Sequence, residues 1–423
     1  MCVMNPRTQN PRPVHLWTSA PARLTAGTLL AAALLAACGE ADPAGSTSDA
    51  VTGPTETDQP VPRVLVASDE QVTVLDADSL DTVETFDVDA RPILSVAGDG
   101  RHVYTLESDA DRIGVIDAGS WTEAHGEHGH SFTADPARLD SVVEGPTAYH
   151  AVSDDERTVV WFDGDGSFVT FDHGGLEGDR IGERRIETGA PHHGVAVPTA
   201  EGGFLASIAV GDAPVGLALL DETGAETTRF ETCEGLHGET HVGETGYAFG
   251  CADGIIVVAD GSATNIAAPL PGAGTGSLVE VHDSSVVVGS LYSETDDSAS
   301  TSLALYDTAA GTATLVDLGV EFSNLASVDG HAVVLGTDGA LHLVDVATGE
   351  VTSIDVMDGW DKPESFRDPR PVLAAAGDRA WITDPGAGTL ALVDLESGET
   401  VQRTELDATP TSLTVVNAAT HAH

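Results

Sequence analysis

The sequence predicts an all-β fold, a single β-propeller, and three observations carry that expectation. An apolar run ending in aspartate recurs along the chain, at Asp76, Asp117, Asp172, Asp221, Asp260, Asp307, Asp345 and Asp394, at intervals of 38 to 55 residues. Each copy holds about four short β-rich runs divided by small or Gly-rich turns, which is how propeller blades read. Segments with a 3.6-residue apolar period are missing from the repeat region, which argues against an α/β alternative.

The ends of the array fit the same reading. The propeller is expected over residues 63–418, with a frayed tail at 419–423. The first copy, from Arg63, supplies three strands before the next begins at Ala90-Arg91-Pro92. The last segment, Thr409 to Val416, reads as an innermost strand with nothing after it. Pairing it with the first three strands closes the ring and removes its edges. The count favours eight four-stranded blades. Seven stays open, because the Asp260 copy is short and the Asp307 copy is rich in loops.

Residues 1–37 lie outside that fold. Arg7, Arg12 and Arg23 precede an apolar run from Leu24 to Ala37, too short to span comfortably, and Leu35-Ala36-Ala37-Cys38 has the form of a bacterial lipobox. The expectation is a cleaved lipoprotein signal, with Cys38 lipidated at the head of the mature chain on the extracytoplasmic face of the membrane. Residues 38–62, rich in Ser, Thr, Asp, Pro and Gly, read as a disordered tether.

The formal net charge is −50, from 18 basic and 68 acidic residues. Acids spread along every repeat repel phosphates and exclude a nucleic-acid partner. Cys233 precedes the innermost strand of one repeat and Cys251 lies in the next strand of that repeat. In an exported chain they are expected to form a disulfide.

Three histidines sit at one register of consecutive repeats: His150, His193 and His237, each opening a short strand. Innermost strands of neighbouring blades begin together at the channel mouth, so these imidazoles are expected to converge. Converging imidazoles suit a borderline divalent ion such as zinc. Glu239, two residues beyond His237, is a candidate fourth ligand. Trp121 to His125 is expected as the outermost strand of the second blade. After it, His125, His128 and His130 are expected on a flexible loop at the same mouth, acting as a capture arm.

The segments Ala190 to Pro198, Gly235 to Glu239 and Phe249 to Gly254, with the histidines of 125–130, resemble the extracytoplasmic zinc metallochaperones of AztD type. The resemblance covers the whole propeller. It implies a monomeric, non-enzymatic propeller that binds zinc and passes it to the solute-binding protein of a zinc ABC importer. By that resemblance His150, His193 and His237 are site residues and the histidine-rich loop assists transfer. The lipobox and the acidity depart from the family pattern. Two rival readings use the same residues: a zinc-dependent propeller hydrolase with Glu239 as base, and a metal-free cell-surface scaffold.

Overall fold

The computed structural model describes residues 53–418, apart from 126, 127 and 366. The expectations for residues 1–52, including the signal, Cys38 and most of the tether, lie outside the described residues. Among the described residues there are eight antiparallel sheets of one design, seven of four strands and one whose fourth position is shared by two short strands. The chain fills each sheet in order from the first strand outward. The third sheet is Ala148–Ser153, Arg157–Phe162, Ser167–Asp172 and Arg184–Glu187. The fifth is His237–Val242, Gly246–Cys251, Gly254–Ala259 and Ser262–Ala267.

The ring is a β-propeller and closes as the sequence predicts. Ser412–Val416 pairs with Arg63–Ala67 from Ala67↔Ser412 to Arg63↔Val416, so the first sheet joins both ends of the propeller. Packing follows the same circuit. One apolar cluster lies between each pair of consecutive sheets, and the last joins the eighth sheet to the first through Trp381, Leu390, Val64 and Leu413. Each sheet is therefore apolar on both faces, which explains the near-continuous hydrophobic runs of the second and third strands. Each large aliphatic side chain so buried contributes roughly 1.5–3 kcal/mol.

The recurring aspartate has a local cause. All eight end, or directly follow, a third strand. Most accept backbone N–H groups of the turn that leads to the fourth. Asp345 Oδ1 accepts from Ala347 N at 3.0 Å and Thr348 N at 2.8 Å; Asp394 Oδ1 accepts from Ser397 N at 2.7 Å. These bonds stabilise the ionised form and hold both carboxyls below the usual range. The repeat signature is thus a turn device.

The second sheet departs from expectation. Ser120–His125 is not its outermost strand. It pairs with His128–Thr133 in a hairpin, and Thr55–Thr57, from the stretch read as tether, pairs with the other side of that hairpin. The outer position of the second sheet is taken by Ala137–Arg138 and Val143–Glu144, both paired with Arg112–Asp117. The hairpin is an insertion after a third strand. It is rooted at the end of the ring opposite to the end where fourth strands hand over to the next sheet. Its contacts agree: Thr122 Oγ1 lies 2.8 Å from Asn417 Oδ1, just past the end of the closing strand, and Ser120 Oγ donates to Val61 O at 2.5 Å.

Candidate metal centre

The mouth is built from the heads of first strands. His150 is the third residue of Ala148–Ser153, His193 lies three residues before Ala196–Pro198, and His237 begins His237–Val242. Two of these strands open on a register shift, between Ala148 and His150 and between His237 and Glu239. A bulge inserts a residue into one strand and re-aims the side chains beside it. In the fifth sheet that residue is Gly238, with φ at +70°, where an added Cβ would stand 2.4 Å from the Gly276 carbonyl oxygen. Only glycine allows this kink.

The structure brings His150, His193, His237 and Glu239 together. The ring centroids of His150 and His193 are 5.2 Å apart, and those of His193 and His237 are 5.5 Å apart. Two imidazoles on one tetrahedral zinc, each bound at about 2.0–2.1 Å, have centroids about 5.2 Å apart. The spacing therefore fits one ion among three rings. Among the described residues no group of three or more His, Cys, Asp or Glu side chains is placed to hold a metal ion as it stands.

Glu239 gives the cluster its polarity. Its side chain is 15% exposed, Oε1 lies 3.3 Å from His150 Nδ1, and Oε2 is buried without a hydrogen-bond partner. A buried carboxylate oxygen left unsatisfied is costly, and a cation is one of the few partners that repays it. Burial pushes the Glu239 carboxyl up, but the neighbouring His150, His237 and His193 outweigh it and hold the group ionised below its usual range. Burial pushes the His150 imidazole down, but Glu239 outweighs that and raises it. His237 is lowered, first by burial and then by His193 and His150.

A residue not expected from the sequence completes the arrangement. Asp163 follows the second strand of the third sheet and reaches the same mouth. Its Oδ2 is 2.7 Å from His193 Nδ1, and its Oδ1 accepts from Gly194 N at 3.3 Å. An ionised carboxylate only accepts, so His193 donates from Nδ1 and turns its Nε2 lone pair outward. Metal-binding histidines are commonly oriented this way. Beside them, Tyr149 stands edge-on to His193 at 5.9 Å. Arg367, from the connection between the seventh and eighth sheets, donates to the Tyr149 hydroxyl at 2.9 Å and to both Asp109 carboxylate oxygens at 3.0 and 2.9 Å. That connection thereby crosses the mouth, over a cavity of about 760 Å³ lined by Asp69, Asp109, Tyr149, Asn324 and Arg370.

His125, His128 and His130 do not join this cluster. They lie on the hairpin, on strands rather than on a flexible loop, and the hairpin is rooted at the other end of the ring. The expectation of one shared mouth is corrected on that ground. Of the remaining histidines, His192 points away from His193, with Nε2 2.8 Å from Ser207 Oγ. His173 is buried, with Nε2 2.8 Å from Thr158 Oγ1. His241 is hydrogen-bonded to Ser153 O at 3.2 Å. Cys233 and Cys251 form the expected disulfide, with Cα atoms 5.0 Å apart. It ties the segment just before His237 to the second strand of the same sheet.

Fold and site together define a β-propeller with a histidine–carboxylate cluster at one mouth. The chain is similar to the zinc chaperone AztD of Citrobacter koseri, with 26% identity over 377 residues, 85% of this chain and 88% of that one. The same relationship holds in three dimensions. A crystal structure of Citrobacter koseri AztD superposes with a TM-score of 0.78 at 25% identity, covering 86% of this chain and all of that one. The apo form of that protein gives 0.75 at 24% identity, covering 84% and 98%. The dihydro-heme d1 dehydrogenase NirN shares the fold alone, at a TM-score of 0.56 and 14% identity over 88% of this chain and 81% of that one. No protein-family model matches the chain.

Proposed function

We propose that this protein is a zinc chaperone of the extracytoplasmic space, which holds one zinc ion at the mouth and passes it to the solute-binding protein of a zinc ABC importer. The observation that carries the reading is the buried, unpartnered Oε2 of Glu239, facing three imidazoles whose spacing suits one tetrahedral ion. His150, His193, His237 and Glu239 are the ligands, and Asp163 holds His193 in its binding tautomer. The similarity to a protein named as a zinc chaperone supports the cargo. Lipidation at Cys38, with residues 39–54 as a leash, would keep a monomer at the membrane beside its importer.

The assignment as a carrier, not an enzyme, rests on the donor set. Four ligands saturate a tetrahedral ion and leave no coordinated water to activate. The test is zinc competition against a chromogenic chelator, followed by transfer to the purified binding protein of an importer. One tightly bound zinc is expected, lost when His150, His193 and His237 are replaced together by alanine. Unchanged binding in that variant would remove the site. Tight binding without transfer, or zinc-dependent turnover of an ester or phosphate, would remove the chaperone role.

A further inference from the structure

Two of the three imidazoles at the mouth are carried by strand ladders, and the third is not. His150 and His237 lie within first strands, whereas His193 lies three residues before Ala196–Pro198 and has no ladder of its own. Its backbone is fixed by other means, and its neighbour His192 supplies them. His192 turns inward and is 5% exposed, while the side chain of His193 turns out to the mouth and is 47% exposed.

His192 is bonded at both ring nitrogens. Nδ1 lies 2.7 Å from Ala190 O, and a carbonyl oxygen only accepts, so Nδ1 carries a proton. Burial pushes the imidazole below its ordinary range and favours the neutral ring, which leaves a lone pair on Nε2. That lone pair accepts from the Ser207 hydroxyl at 2.8 Å. Ser207 Oγ in turn accepts from Val195 N at 3.0 Å, and Ser207 N donates to Val195 O at 2.8 Å. The backbone carbonyl of His192 accepts from Trp161 Nε1 at 3.2 Å, and the two rings stand edge to face at 4.8 Å. Only glycine fits between these groups: a Cβ on Gly194 would stand 2.2 Å from Ser207 Oγ and 2.6 Å from His192 Nε2. The segment is thus pinned to buried residues of the third and fourth sheets on both sides of His193.

We infer that His192 and Ser207 are positioning residues for the mouth: His192 is a buried peg that fixes the backbone of His193, and Ser207 locks the peg in one tautomer. Neither is a zinc ligand. Asp163 acts on His193 from the outward side, His192 and Ser207 from the inward side, so the two adjacent histidines divide anchoring from ligation. The assignment rests on the reading of His193 as a ligand, whereas the peg itself is observable without metal.

The test compares Ser207→Ala, His192→Phe and His193→Ala in the full chain. In the metal-free protein, imidazole nitrogen NMR should show His192 protonated at Nδ1, and Ser207→Ala should speed amide exchange at Val195. Zinc titrated against a chelator should bind about tenfold more weakly in Ser207→Ala and in His192→Phe, a smaller loss than in His193→Ala, at a temperature where thermal melts show every variant folded. Zinc should shift the ring nitrogens of His193 and leave the Nδ1 proton of His192 in place. Wild-type affinity in Ser207→Ala and His192→Phe, beside a loss in His193→Ala, overturns the positioning role and leaves the mouth standing. A His192 nitrogen that takes up zinc overturns it as well. Wild-type affinity in His193→Ala removes the mouth reading, and the positioning role with it. Unaltered exchange at Val195 in Ser207→Ala removes the peg, whatever the zinc data show.

Discussion

Replacing Asp163 with asparagine isolates orientation from ligation at the mouth. Asp163 touches no ion in the proposed site; it holds the ligand His193 through a 2.7 Å bond to Nδ1. Its side chain is 13% exposed while that of His193 is 47% exposed, so the ring depends on this bond for its angle. Asparagine keeps the volume and can still present an oxygen to Gly194 N. It then turns its amide N–H₂ toward His193 Nδ1, which favours the tautomer with the proton on Nε2, the atom needed for zinc. Loss of such a partner costs about 10- to 100-fold in metal affinity, or about 1.4–2.7 kcal/mol. Chelator competition on Asp163→Asn and His193→Ala in parallel gives the measurement. The orientation argument requires the asparagine variant to fall between wild type and His193→Ala. Affinity equal to wild type refutes it, and so does a loss as large as that of His193→Ala.

Three further outcomes follow from the same geometry. Cys233→Ala with Cys251→Ala opens a loop of sequence separation 18. The expected loss is about 3 kcal/mol, or about 4 °C in Tm for a cooperative domain of this size, read by thermal melting with and without reductant. Trp381→Ala removes a ring that is 1% exposed at the seam between the eighth and first sheets, whose Nε1 donates to Ala77 O at 2.9 Å. A loss of about 3–5 kcal/mol is expected, and a much smaller one in denaturant melts would show that the seam carries little of the ring's stability. Zinc affinity at the mouth should fall with acidity. His150 is raised above its ordinary value by Glu239 despite burial, so zinc competes there with a proton held more firmly than on a free imidazole. The apparent constant should weaken by about tenfold per pH unit for each proton displaced. Affinity that stays flat from pH 8 to pH 6 would exclude histidine ligands.

The architecture was legible in the sequence because each repeat carries its own marker. The aspartate at the end of a third strand recurs eight times, and in six of the eight it accepts N–H groups of the next turn, so a local hydrogen-bonding need is written into most repeats. Convergence at the mouth was legible for a related reason, since one register in consecutive repeats becomes one place in space. Asp163 was hidden by the same regularity. Aspartates at strand ends are so common here that one following a second strand carried no distinguishing pattern. The hairpin was misplaced because Ser120–His125 alternates like an outermost strand, whereas the true outer pieces, Ala137–Arg138 and Val143–Glu144, are too short to show a period. Strand pairing is decided by long-range contacts such as Thr122 with Asn417, which no local window contains.

Placing the hairpin on the far side changes how release from the mouth must work. Histidines rooted at the other end of the strands do not exchange a ligand with His150 or Glu239, so under the proposed function transfer would depend on the mouth and on the partner alone. Within the mouth the ligands are unequal. His150 and Glu239 have side chains 21% and 15% exposed, whereas His193 is 47% exposed and is hydrogen-bonded through its ring to Asp163. An incoming ligand from a partner therefore meets His193 first, and displacing it opens the coordination sphere while the buried pair keeps the ion. On this ordering Asp163→Asn should bind zinc more weakly and also give it up faster to the binding protein of an importer, by a similar factor of about 10 to 100. Glu239→Gln should weaken binding without a matching gain in partner-dependent transfer, because its ligand leaves last. Stopped-flow transfer at several partner concentrations separates the two cases. A rate that rises with partner concentration in wild type and is selectively accelerated in Asp163→Asn supports displacement at His193. A rate independent of partner concentration means that zinc escapes into solvent first, and the ordering fails.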